Sequence, residues 1–246
     1  MPQDFPKVQP GGSLMVAWQV KNQRVLVVGG GEVAAGRILH ALSADAKVTV
    51  VTPSTCLNEE VRHRISSGAV TTYLDRKFEP HDLDDDVDGA PVNMVFVAID
   101  DPIASSEIWK LCKQRRIPAN IADVPPECDF YFGSVHRDGP LQVMVSTNGN
   151  GPKMASIVRK EIARTLPGNM GAAISNVGML RRKLRGVEGK AEEGPKRMKW
   201  ISRVCESWSL SELVEMDNQD MNALLQHYAA DEVPSFEGIR LITRAS

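Results

Sequence analysis

The chain reads as an α/β protein: a doubly wound parallel sheet, then a small antiparallel region, then an all-helical C-terminal domain. Three observations predict this. Short β-branched runs alternate with helically spaced apolar residues through the first half. A glycine cluster, Gly29-Gly30-Gly31, stands where the first run hands over to the first helix. Strand-like runs stop before Gly151, and the remainder carries helical spacing and caps.

The elements follow in order. Residues 25–28 (VLVV) and 47–51 (KVTVV) are the first two strands, and Val33, Ala34, Ile38, Leu39 and Leu42 recur between them at helical spacing. That is a βαβ unit. A third strand is expected at 69–74, a fourth at 93–99, a helix over 103–115 and a short strand near 119–122. Because these strands are continuously apolar rather than alternating, both faces of the sheet must be covered. Residues 130–147 then read as an antiparallel hairpin about Arg137-Asp138-Gly139-Pro140. Pro152 suits the first turn of a helix carrying Met154, Ile157, Val158 and Ile162. A polar, glycine-containing linker is expected at 186–195, a capping box at Ser209 and Glu212, and a helix over 217–230.

Composition narrows the class of protein. With 246 residues, 42% of them hydrophobic, the chain can bury the core of one large domain or two. Its 29 basic and 31 acidic residues give a formal charge of -2, which supplies no general attraction to nucleic acid or an anionic membrane. Any anionic ligand must be held by local groups. The first residues are polar and rich in Pro and Gly, without a signal pattern, and no apolar run reaches spanning length. A cytoplasmic protein with a frayed N-terminus is expected. Cys56, Cys112, Cys128 and Cys205 lie too far apart for a CxxC site or a disulfide framework, and His40, His63, His81 and His136 form no ligand spacing. No permanent metal site is expected.

The glycine turn carries the first chemical signal. Gly29, Gly31 and Ala34 fit the G-x-G-x-x-G/A pattern between a strand and a helix, which marks a Rossmann-like dinucleotide-binding turn. The first glycine permits the turn, the second lets a pyrophosphate approach the main chain, and the small third residue lets helix and strand pack closely. The acid that usually meets the ribose about 20 residues on is replaced by Thr52-Pro53-Ser54. Thr52 and Ser54 can bond ribose hydroxyls but do not repel a 2′-phosphate, so the residues leave NAD and NADP open. The fourth strand ends at Asp100-Asp101-Pro102, on the sheet edge where ligands of open α/β folds bind, and Asp101 reads as a helix cap.

Three segments together resemble the short form of the siroheme synthase family: RVLVVGGGEVAAGR at 24–37, NIADVPPECDFYFGS at 120–134 and VSTNGNGPKMASIVRKEI at 145–162. The resemblance runs over roughly residues 14–165 and continues more loosely through the tail. It implies NAD-dependent oxidation of precorrin-2 to sirohydrochlorin, with Fe2+ then inserted as a substrate to give siroheme. It also implies a homodimer joined through the middle region. The domains are accordingly expected at 1–128 (dinucleotide-binding), 129–165 (dimerisation hairpin and helix) and 166–246 (helical). Cofactor contacts carry over to Gly31, Glu32 and Val33, to Pro53 and Ser54, and to the stretch from Ala98 to Asp100. Ser146, Thr147, Asn148 and Gly149 correspond to a substrate-side loop, and Asp123 to the residue given the key role. Two departures stand out: Asn150-Gly151 follows that loop where relatives carry a small hydroxyl residue, and Gly36-Arg37 replaces an Arg-Lys pair.

Asp123, at the end of the last parallel strand, would take the proton that leaves the macrocycle and could briefly contact Fe2+ during chelation. Alternatively it caps the following loop. The carboxylates of the tetrapyrrole call for cations, for which Arg37, Arg137, Lys153 and Arg159 are candidates along with the helix beginning near Pro152. His227 is a candidate auxiliary proton carrier or iron-facing group, since neutral imidazole suits Fe2+. Two other functions stay open: a dehydrogenase without chelatase activity, and a non-catalytic nucleotide-sensing module.

Overall fold

A computed structural model describes residues 5, 7–85 and 89–245. The expectation of a frayed start falls largely on Met1–Asp4 and Pro6, which lie outside the described residues. The chain divides after Phe132 into two compact units.

The first unit is a five-stranded parallel sheet: β1 (Arg24–Val28), β2 (Lys47–Val51), β3 (Thr72–Leu74), β4 (Val92–Val97) and β5 (Ala119–Ile121), in the spatial order β3-β2-β1-β4-β5. In register, Leu26 on the central strand lies between Thr49 and Val95. The chain runs outward from β1 through β2 to β3, then returns to the other side of β1 as β4. That reversal opens a crevice at the carboxyl ends of β1 and β4. Period-2 geometry sends Val25 and Val27 to one face, with Ala34 and Ile38, and Leu26 and Val28 to the other, with Ile108 and Cys112. Both faces are core, which explains the unbroken apolar runs.

Helix α1 (Glu32–Ser43) buries Ala34, Ala35, Ile38 and Ala41, while Leu39 stays exposed. Its small buried residues let it lie close to the strands. Helix α2 (Glu59–Ser66) has no counterpart among the expected elements; Asn58 caps it by accepting the Val61 N–H at 2.8 Å. The third strand is shorter than expected because the Ala69 and Val70 amides turn back to the Arg64 carbonyl and close α2. Asp101 caps α3 (Pro102–Arg115) as expected, accepting from Ile103 and Ala104 at 3.1 and 3.0 Å. Residues 130–133 are not strand. Phe130 and Phe132 instead pack edge-on to Phe96, with ring centroids at 6.0 and 5.1 Å, so ring-to-ring contact holds them in the first unit.

The second unit opens with the antiparallel hairpin of β6 (Ser134–Asp138) and β7 (Leu141–Val145), joined by the two-residue turn Gly139-Pro140. Helices follow at α4 (Pro152–Thr165), α5 (Met170–Val187), α6 (Gly194–Ser207), α7 (Leu210–Glu215), α8 (Asn218–Leu225) and α9 (Phe236–Arg244). They enclose a separate core containing Leu180, Leu184, Trp200, Val204, Met221, Leu224 and Ile239. A Cβ on Gly171 would lie 2.2 Å from the Asp138 carbonyl oxygen, so α5 sits directly on the hairpin turn, tied by the Gly171 amide to Asp138 at 2.9 Å. The Ser209–Glu212 capping box is present. A second box forms at Asp217 and Asp220. The fully buried Asp220 also accepts from Arg240 Nε at 2.9 Å and Thr243 Oγ1 at 3.2 Å.

The helix expected over 217–230 ends at Leu225, so His227 is not helical. Three successive amides, of Gln226, His227 and Tyr228, bond three residues back, and the tightened turn brings Tyr228 edge-on to Trp200 at 5.5 Å.

Candidate functional site

The carboxyl edge of the parallel sheet gathers most of the residues singled out by sequence. Gly29 follows β1 with φ +120°, and a Cβ there would lie 2.1 Å from the Ala98 carbonyl oxygen. The turn is therefore pressed against the end of β4, and only glycine fits. Gly30 is equally confined: a Cβ would lie 2.9 Å from Thr52 Cγ2 and 3.0 Å from the Cys56 carbonyl oxygen. Gly31 differs, because a Cβ there meets nothing within 4 Å. It is the N-cap of α1 without a capping side chain, so first-turn amides face open space with no side-chain acceptor.

The structure thus separates three glycines that look alike in sequence. Gly29 and Gly30 shape the turn, and Gly31 keeps the approach clear. An open backbone cradle beside an uncapped helix of 12 residues fits a dinucleotide pyrophosphate. Ala34 is buried, while Glu32 and Val33 are exposed on the first turn.

Thr52 is buried at the end of β2, and its carbonyl accepts the Tyr73 hydroxyl at 3.0 Å. Pro53 and Ser54 are half-buried beside it. The Ser54 amide donates to Asp75 Oδ1 at 2.6 Å. Asp75, just beyond β3, is the residue that sequence reasoning missed. Its only signal was an acid following a strand that neighbours β2. The Ser54 amide and then the Ser54 side chain hold the Asp75 carboxyl below its ordinary pKa against an opposing effect of burial, with the Tyr73 side chain adding least. Ala98 and Asp100 lie at the end of β4, where the Ala98 amide donates to Val28 at 2.8 Å.

Asp123 follows β5 in a left-handed conformation, with φ +60°. Its side chain is exposed and accepts no hydrogen bond among the described residues, so it caps nothing in the loop that follows. Such a backbone costs on the order of 1 kcal/mol for a non-glycine residue and is borne most readily by Asp and Asn.

Arg37 is not available as a free substrate cation in the way its sequence position suggested. It donates to the Asn120 carbonyl at 3.2 Å and lies over the Phe132 ring at 5.3 Å, bracing the end of β5. Burial lowers its pKa, against opposing effects of Cys128 and Asp123. His40 stacks on the same ring at 5.4 Å, and burial followed by the Arg37 charge lowers its pKa and favours neutral imidazole.

In the second unit, Ser146, Thr147, Asn148 and Gly149 form one loop that leads into α4. The Ser146 hydroxyl accepts the Asn148 amide at 3.1 Å, and the Thr147 hydroxyl accepts the Gly151 amide at 3.1 Å. Asn148 and Gly149 are both left-handed, at φ +51° and +82°. Lys153, on the first turn of α4, is exposed and has no ion pair among the described residues. Arg159 donates to Ser134 at 3.2 Å, and Arg137 to the Gly139 carbonyl at 3.3 Å. His227 lies 3.7 Å from Glu232 within the helical unit. Among the described residues, no three of His, Cys, Asp and Glu converge as a metal site, and no helix is long and apolar enough to cross a membrane.

Comparison with known proteins divides the chain along similar lines. An NAD(P)-binding family model matches residues 16–134, the sirohaem biosynthesis protein central model 138–165, and the corresponding C-terminal model 167–234. A siroheme biosynthesis protein of Schizosaccharomyces pombe is 52% identical over 239 residues, covering 97% of this chain and 88% of that protein. Its counterpart in Saccharomyces cerevisiae, also a siroheme biosynthesis protein, is 28% identical, covering 83% of this chain and 86% of that protein. A siroheme synthase of Sodalis glossinidius is 34% identical over 70% of this chain, which spans 35% of that longer protein. Among solved structures, SirC, a precorrin-2 dehydrogenase, superposes with a TM-score of 0.62 at 17% identity, covering 95% of this chain and all of that one, and so shares the fold. On its identity to the fission-yeast protein along nearly its whole length, together with the two sirohaem-specific models, the chain belongs to the siroheme biosynthesis protein family.

Proposed function

We propose that this protein is an NAD-dependent precorrin-2 dehydrogenase that also inserts Fe2+ into sirohydrochlorin. The observation that carries this reading is the exposed carboxylate of Asp123, without a hydrogen-bond donor among the described residues and on the same sheet edge as the open cradle at Gly31. NAD, when bound, supplies the hydride acceptor. The chain supplies the rest. Amides of the first turn of α1 hold the pyrophosphate, Ser54 offers its hydroxyl to the ribose while Thr52, buried at 4% exposure, only supports the turn, and the confined Gly29-Gly30 turn fixes where both sit.

Loss of hydride from precorrin-2 requires loss of a proton from a neighbouring position, and the Asp123 carboxylate accepts it. Chelation of sirohydrochlorin by Fe2+ releases two pyrrole protons, and the same carboxylate relays at least one. The loop Ser146–Gly149 and the Lys153 ammonium offer donors to substrate carboxylates.

A homodimer is part of the proposal. Helix α4 leaves Met154, Ile157, Val158 and Ile162 exposed along one stripe, each at least 37% accessible in the single chain. A contiguous apolar stripe of this kind suits contact with a second copy.

The test is anaerobic turnover of precorrin-2 with NAD, followed by the macrocycle spectrum, alongside direct titration of NADH. Asp123→Asn suits the left-handed backbone, so it should fold normally and bind NADH while dehydrogenation falls by at least about a hundredfold. Wild-type turnover in that variant would remove Asp123 from the mechanism. Supplied sirohydrochlorin and Fe2+ test chelation separately.

A further inference from the structure

The end of β2 lacks the acid that commonly engages the adenosine ribose, yet the structure brings one there from the next strand. β3 pairs with β2 so that Leu74 lies beside Val51, and the Thr52 amide donates to the Leu74 carbonyl at 3.2 Å. Asp75 therefore emerges level with Thr52. It turns toward β2 and accepts the Ser54 amide at 2.6 Å. Its neighbour Arg76 does not neutralise it, because that guanidinium pairs with Asp82, with Nη1 at 2.9 Å from Oδ2. Arg62 also reaches this edge, donating to the Ser54 and Leu57 carbonyls at 3.3 and 3.4 Å.

We propose that Asp75 is the specificity-determining residue of the coenzyme site, favouring a free 2′-hydroxyl on the adenosine ribose over a 2′-phosphate. The assignment rests on the reading that the glycine turn binds a pyridine dinucleotide. A fixed carboxylate beside Ser54 accepts a hydrogen bond from a ribose hydroxyl and repels a phosphate dianion. Anchoring by Ser54 keeps that carboxyl ionised through the neutral range, since its pKa lies below the ordinary value. Arg62 sharpens the consequence: once Asp75 is neutral, a cation still holds the Ser54 carbonyl, and a cation is the partner a 2′-phosphate recruits.

NADH and NADPH are titrated separately into wild-type protein, Asp75→Asn and Asp75→Ser, with nicotinamide fluorescence as the readout. Wild type should prefer NADH. Both variants should lower the NADH-to-NADPH affinity ratio by about tenfold or more, chiefly through tighter NADPH binding. Asn retains an acceptor for the Ser54 amide, so the asparagine variant should melt with wild type. Wild-type preference for NADPH, or an unchanged ratio in both variants, would overturn the role of Asp75 while leaving the coenzyme site intact. Failure of wild type to bind either coenzyme would instead overturn the underlying reading and this assignment with it.

Discussion

Replacing Gly29 and Gly31 in turn by alanine should separate folding from coenzyme binding. At Gly29 the added methyl would lie 2.1 Å from the Ala98 carbonyl oxygen, and the backbone is at φ +120°. Strain of that kind costs about 1–3 kcal/mol, and displacing the end of β4 costs about 1–3 kcal/mol more. Gly29→Ala should therefore lose roughly 2–6 kcal/mol of stability in the first unit. At Gly31 the methyl meets nothing, and φ is -77°. Stability should stay within about 0.5 kcal/mol of wild type or rise slightly through reduced freedom of the unfolded chain. The same methyl would occupy the space kept for the pyrophosphate. A loss of about 1–3 kcal/mol in binding corresponds to a Kd about 5- to 150-fold weaker. Urea unfolding followed by circular dichroism gives the first quantity, and NADH fluorescence titration the second. Wild-type NADH affinity in Gly31→Ala would refute the placement of the coenzyme, and wild-type stability in Gly29→Ala would refute the close approach to β4.

Two further predictions concern buried carboxylates. Asp82, only 3% exposed, pairs with Arg76 and accepts the Glu79 amide at 2.8 Å. Burial alone would raise its pKa, but the Arg76 and Glu79 interactions prevail and lower it. The stabilisation is therefore complete above the unfolded carboxyl value, about 3.9, and is lost as pH falls through the lower folded value. Asp82→Asn should be clearly less stable than wild type at pH 6, and the gap should narrow below about pH 4; a pH-independent gap in urea midpoints would contradict this. Asp220→Ala should cost about 3–5 kcal/mol, because it leaves Arg240 without its buried partner and strips the Asp217 amide of its acceptor in the α8 capping box. A cost below about 1 kcal/mol in urea unfolding would show that Arg240 finds another acceptor.

The parallel sheet was legible because VLVV and KVTVV are buried on both faces and leave no helical or alternating pattern to compete. Helix α2 was not, since Val61 is its one buried residue and a polar helix carries little periodic signal; the Asn58 cap was the available clue. The strand assigned to 130–133 failed because Phe130 and Phe132 have the composition of a strand but pack by their rings on Phe96. Sequence also extended the last segment through His227, where the demands of packing Tyr228 on Trp200 end the helix early. At the site, the glycine turn and Asp123 could be picked out from local order. Asp75 could not, because its meeting with Ser54 spans 21 residues and depends on which strand lies beside β2. The commitment of Arg37 to Asn120 and Phe132 was hidden for the same reason.

The two units own separate cores, and Trp200 and Trp208, the most deeply buried tryptophans among the described residues, both belong to the helical one, bonded through their indoles to Glu232 and Pro234 at 2.8 and 2.9 Å. Indole emission consequently weights the melting of that half of the polypeptide, whereas an added pyridine nucleotide protects the other. A single apparent midpoint would then average two events, and a lesion in the helices would lower the optical midpoint while leaving the nucleotide fold standing.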